Sequence, residues 1–250
     1  MNIRKVIAAL CSIPTLGLAM VALADEHHWG YQGHGGPSEW ASLNPEFGTC
    51  KLGKLQSPID IRGAKAADLP PIKFDYKPSP LKIIDNGHTI QVNYAPGSWI
   101  DVSGARYELL QFHFHRPSEE KIDGKAHAMV AHLVHKNSEG KLAVVAVLLD
   151  KGGASELLDS LWKNLPKEKE KESVADNVTI DAAKLLPANQ GYYTFKGSLT
   201  TPPCSEDVTW LVLKSPLKIA DSQIATFAKI YPLNARPVQP LNGRIIQTMK

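Results

Sequence analysis

The chain has 250 residues, 43% hydrophobic and 21% charged, with a formal net charge of +3. That is an ordinary globular balance, which excludes a disordered chain and carries enough apolar residues for one large core. The charge is too small for the basic surface that a nucleic-acid partner demands.

The first segment sets the compartment. Arg4 and Lys5 precede a mostly apolar run from Val6 to Leu23, which closes on Ala22-Leu23-Ala24. This pattern predicts a cleaved signal peptide over 1–24 and a periplasmic or secreted chain. No stable membrane anchor is expected, because a span needs about 20 uninterrupted apolar residues and Pro14 breaks this run. Loss of the segment removes Arg4, Lys5 and Cys11 and leaves a net charge near +1. Cys50 and Cys204 then form an even pair in an oxidising compartment and are expected to be joined as a disulfide, with two buried free thiols as the alternative.

Beyond the leader there is no repeat, Gly/Ser linker or sharp change of composition, so 25–250 reads as a single domain. Strand-like runs follow at Thr89–Tyr94, Tyr107–His115, Ala128–His135, Leu142–Leu149 and Val208–Leu213. Turn clusters such as Asp85-Asn86-Gly87 and Ala95-Pro96-Gly97 separate them. Helical periodicity is limited to Ser155–Trp162 and Ser222–Ile230, and the mixed-sign run within Lys163–Asp176 reads as solvated surface. The expected fold class is mainly β, a large, mostly antiparallel twisted sheet of about ten strands with a few short peripheral helices.

Gln111-Phe112-His113-Phe114-His115 carries the most chemistry. Alternation on a strand sends Gln111, His113 and His115 to one face and the two phenylalanines to the other. A third imidazole, His132, lies on another alternating strand and shares a face with Val134, whereas His135 points the opposite way and reads as structural. Three neutral imidazoles suit a tetrahedral zinc site with one open position, where a bound water reaches a pKa of about 7 and supplies hydroxide at neutral pH. Competing nucleophile chemistry lacks support, since no Gly-x-Ser-x-Gly occurs. Gly48 to Leu55 nearly spells a phosphate-binding loop, but Leu55 stands where a Ser or Thr is required.

Further segments extend the pattern: His28-Trp29-Gly30-Tyr31, Gln56-Ser57-Pro58-Ile59-Asp60-Ile61, Asn86-Gly87-His88, Pro117-Ser118-Glu119, Gly197 to Cys204, and Arg236-Pro237-Val238-Gln239-Pro240-Leu241. In content and order they resemble the bacterial α-class carbonic anhydrases. The resemblance implies that family's fold, one Zn2+ per chain held by His113, His115 and His132, and reversible hydration of carbon dioxide to bicarbonate. It implies that Thr200 takes a proton from zinc-bound hydroxide and passes its own to Glu119, orienting the nucleophile. It places Val134, Val144, Leu199 and Trp210 on the apolar wall of the substrate pocket, and the Thr200 backbone N–H beside the developing negative charge. It gives His88 the proton-shuttle position and sets Tyr31, Asn86, Gln91 and Thr201 around the water network. From the residues alone, Asn86-Gly87-His88 is only a turn, and the four wall residues are equally well plain core. Gln111 and the Asn234 carbonyl match partners of His113 and His115. The implied partners are carbon dioxide and bicarbonate, with sulfonamide and anion inhibitors at zinc, and the chain is expected to be a monomer or homodimer.

The sequence departs from that pattern at Val130, where many members place a glutamate that serves the third histidine. Glu120, His127 or water is left to replace it, and weaker zinc retention is the expectation. Glu120 stands in place of a common histidine, and Phe195 in place of a common tyrosine. Two alternatives are carried: a noncatalytic zinc-binding or carbonic-anhydrase-like module, and a cupin-like iron or manganese site in which Glu119 joins His113 and His115.

Overall fold

Alternation over Gln111–His115, the end of the strand Ala105–His115, buries Phe112 and Phe114 completely on one face of a sheet and turns Gln111, His113 and His115 to the other; a register shift at Leu110 brings Tyr107 and Leu109 to the same face as the phenylalanines. The computed structural model describes residues 28–250, so the signal peptide expected over 1–24 falls outside the described residues.

Thirteen strands form the main sheet. Its continuous path runs Ser173–Ile180, Ser79–Asp85, Ile90–Asn93, Ala105–His115, Met129–Lys136, Leu142–Lys151, Val208–Leu213, Tyr192–Gly197, Gln247–Met249 and Lys65–Ala67. Most neighbours are antiparallel. Leu142–Lys151 lies parallel to Val208–Leu213 and to Leu217–Ile219, and Gln247–Met249 lies parallel to Lys65–Ala67, so the sheet is mixed. All five strands read from sequence are present within two residues of the expected ends. The flanking strands carry weaker sequence signals: Ser79–Asp85 alternates in burial, but it begins with Ser-Pro and sets polar Ser79 and Asp85 at buried positions, and Tyr192–Gly197 ends in Lys-Gly.

Each face of the sheet builds its own core. Phe112, Phe114, Leu133, Val145, Val147 and Leu211 fill the far face, together with the helices Glu156–Lys163 and Asp221–Ile230. The first helix is capped by the Ser155 side chain and buries Leu157, Leu158 and Leu161. Each such side chain contributes about 1.5–3 kcal/mol. On the near face a smaller apolar cluster joins Val130, Val144, Ala146, Phe195 and Trp210, with Val134 and Leu199 packed on it. The histidines stand at the edge of this second cluster.

Cys50, on the short helix Thr49–Leu52, is bonded to Cys204 across 154 residues. Among the described residues no helix is long and apolar enough to cross a membrane.

Candidate metal centre

Strand register assembles the centre. His132 stands directly opposite His113, which stands opposite Gln91, while His115 faces Val130. One step along the same strands, Val134 faces both Gln111 and Val144, and Val144 faces Trp210. Residues two apart share a face, so the histidine row and the Val134–Val144–Trp210 row lie side by side. A register slip of one residue would send both rows into the opposite core.

Among the described residues, His113, His115 and His132 offer ligand nitrogens that all lie within 4.8 Å of one another. Each ring commits its other nitrogen to an acceptor. His113 Nδ1–H donates to Gln111 Oε1 at 2.8 Å, and His115 Nδ1–H donates to the Asn234 carbonyl at 2.7 Å. His132 uses its Nε2–H, which faces the two Glu120 oxygens at 3.1 and 3.2 Å. These acceptors select the tautomers and leave lone pairs on His113 Nε2, His115 Nε2 and His132 Nδ1. His115 Nε2 is buried with no hydrogen-bond partner, as a ligand atom awaiting an ion should be. The donor set therefore fits zinc.

Electrostatics keep the first two rings neutral. Burial, reinforced by His132, lowers His113 to about 3, and the same causes, with His113 added, hold His115 well below its usual range. For His132, burial disfavours the cation, but the Glu120 and Glu119 carboxylates outweigh it and raise the pKa. The partner that Val130 does not provide is thus supplied by Glu120, whereas His127 is engaged elsewhere, with Asp150 at 3.0 Å.

Glu119 sits beneath the centre, fully buried. Its Oε1 accepts the Arg236 backbone N–H at 2.7 Å, while Oε2 lies 3.5 Å from His115 Nε2 and closes no hydrogen bond. Burial pushes the carboxyl up to about 7, against the opposing pull of His132, the Thr200 hydroxyl and the Arg236 N–H. Thr200 is 5% exposed, on the segment between Gly197 and Cys204. That segment is pinned by Leu199 N–H to Ser205 O, Cys204 N–H to Thr201 O, Gln56 Nε2 to Cys204 O and the disulfide. Thr201 thus takes part in the turn.

Val134, Val144, Leu199 and Trp210 form one apolar group. The Trp210 ring meets His132 edge-on at 4.9 Å, and its indole N–H donates to the Ser198 carbonyl. His88 follows the turn that Gly87 makes with φ +83°. Asn86 Oδ1 accepts the His88 and Thr89 N–H groups and its amide reaches Gln91 Oε1 at 3.3 Å, so Asn86 shapes the turn and touches Gln91. Tyr31 buries its hydroxyl without a partner nearby. The sequence reading missed the aromatic seat of His88, whose ring stacks on Trp29 at 3.6 Å with His28 on the same stack. Burial, aided by His28, lowers His88 to about 4. The only sequence signal for this was the aromatic density of His28-Trp29-Gly30-Tyr31. Asn234 also ties the site together, donating to the His88 and Phe114 carbonyls as its own carbonyl holds His115.

A twisted thirteen-stranded sheet with three convergent histidines at its centre defines a metalloenzyme class by geometry. The model of the eukaryotic-type carbonic anhydrase family matches residues 35–250. A carbonic anhydrase of Pectobacterium carotovorum is 46% identical over 89% of this chain and 91% of its own length. A hyperthermostable carbonic anhydrase identified from an active hydrothermal vent chimney is 45% identical, with a TM-score of 0.86 over 89% of this chain and 100% of its own. The α-carbonic anhydrase of Thermovibrio ammonificans, solved with the inhibitor sulfanilamide, is 42% identical, with a TM-score of 0.85 over 88% of this chain and 98% of its own. The chain belongs to the α-carbonic anhydrase family and is an enzyme of that family. The cupin-like alternative gives way to this fold.

Proposed function

We propose that the chain holds one zinc ion through His113 Nε2, His115 Nε2 and His132 Nδ1 and hydrates carbon dioxide reversibly to bicarbonate and a proton. The convergence of three lone pairs, each ring locked by an acceptor on its other nitrogen, carries the reading. Bound zinc, held by neutral ligands, supplies a nucleophile at neutral pH by acidifying water.

The remaining work belongs to side chains. Thr200 orients the nucleophile by donating to Glu119, which the Arg236 N–H holds in place. Val134, Val144, Leu199 and Trp210 give the small apolar substrate a dry wall, and the Thr200 N–H faces the oxygen that gains charge. His88 exchanges the product proton with solvent at the mouth, where Tyr31, Asn86 and Gln91 border the water path. Sulfonamides and anions compete at the metal in this reading, which the complex of the Thermovibrio relative with the inhibitor sulfanilamide supports. The Cys50–Cys204 bond supports an exported, periplasmic or secreted chain. In this reading 1–24 is cleaved and 25–250 acts as one domain, as a monomer or homodimer.

Stopped-flow hydration of carbon dioxide with metal analysis tests this. Expected are one zinc per chain, activity abolished by a sulfonamide, loss of zinc in His132→Ala and retention in Glu119→Gln. Iron or manganese in place of zinc, or zinc-loaded protein without hydration activity, refutes it.

A further inference from the structure

Glu120 follows Glu119 on the segment that leaves the histidine strand, and its residue is 0% exposed. Among the described residues, its carboxylate has a single hydrogen-bonding partner, His132 Nε2, approached by both oxygens. A buried carboxylate is costly unless its partner is strongly bound. This seat is therefore maintained for that one contact.

Position 130 completes the observation. It lies two residues before His132 on the same face of the same strand, close enough for a long side chain to reach the ring. It is occupied by Val130, 0% exposed and packed with Ile59, Leu148 and Phe195. Ser118 Oγ–H donates to the Glu120 carbonyl at 2.7 Å and its oxygen accepts the His127 N–H, holding the Glu120 backbone against the sheet.

We infer that Glu120 is the positioning residue of the third ligand: it takes the His132 Nε2–H, sets the ring, and aims Nδ1 at the metal. Val130 is apolar because that seat is already filled from the neighbouring segment, so the chain retains zinc as firmly as one whose carboxylate comes from position 130. The inference rests on the zinc reading above.

The test measures zinc release from loaded protein to a chromophoric chelator, with near-ultraviolet circular dichroism as the check of folding. Glu120→Ala is expected to release zinc about 10- to 100-fold faster. Glu120→Gln, which keeps shape and an acceptor, is expected to lose less and guards against a folding failure of the alanine variant. Val130→Glu is expected to slow release in the Glu120→Ala background but not in the otherwise unchanged protein, where two carboxylates would crowd one N–H. Wild-type release rates in both Glu120 variants, or an equal effect of Val130→Glu in both backgrounds, overturn the inference while leaving zinc binding intact. A wild-type protein that holds no zinc overturns the metal reading itself, and this inference with it.

Discussion

Replacing Cys50 and Cys204 together by alanine separates stability from catalysis in this enzyme. The bond closes 154 residues of chain, and loop-closure entropy assigns such a constraint about 5 kcal/mol. For a folded domain of this size each kcal/mol moves Tm by about 2–4 °C, so the loss is expected to be about 10–20 °C. The catalytic segment has other restraints: Ser57 N–H to Ser198 Oγ, Ser198 N–H to Ser57 Oγ, Gln56 Nε2 to Cys204 O and Leu199 N–H to Ser205 O all survive the substitution. Thr200 therefore stays in place, and hydration well below the melting range is expected to fall less than about threefold, under 1 kcal/mol of transition-state stabilisation. Calorimetry and stopped-flow rates on the same preparation measure both. A Tm drop below about 3 °C refutes the entropic account, and a large loss of activity at low temperature refutes the claim that the hydrogen bonds suffice.

Val144→Phe enlarges a side chain that is 2% exposed between Val134 and Trp210. It is expected to lower kcat/KM at least tenfold with zinc content unchanged, whereas an unaltered rate refutes the wall assignment. Stacked on Trp29 with a pKa of about 4, His88 carries a proton in only about one molecule in a thousand at pH 7, against about one in four at its ordinary value. Trp29→Ala is thus expected to raise the His88 pKa toward 6.5 in an NMR titration, and His88→Ala to lower turnover in dilute buffer with recovery in concentrated imidazole. His135 is fully buried against the Tyr76 hydroxyl and is lowered to about 3 by burial. Since unfolding lets it bind a proton between about pH 6.5 and 3, it makes stability fall as pH drops through that window, by up to about 1.4 kcal/mol per pH unit. Urea unfolding of His135→Gln across that range is expected to show a slope shallower by one proton, and equal slopes refute the assignment.

Much of the site is visible in one dimension because a strand repeats every two residues. That local rule placed Gln111, His113 and His115 together, sent Phe112 and Phe114 into the opposite core, and separated His132 from His135. The two-cysteine pairing, expected from sequence with free thiols as the alternative, is present, as are the central strands and both longer helices near their expected positions. The tertiary structure decided the contacts that no local period encodes. The pairing of Met129–Lys136 with Ala105–His115 sets His132 opposite His113, and the loop after His115 brings Glu120 to the ring that Val130 leaves unserved. Trp29, from the N-terminal segment, covers His88, and Asn234 and Arg236, near the other end, hold His115 and Glu119. Alternation is a property of the backbone of one strand, whereas register and loop approach depend on the packing of the entire sheet, which is why the histidines and Gln111 could be read along the chain while the choice of Glu120 among its candidates and the approach of Trp29 and Arg236 could not.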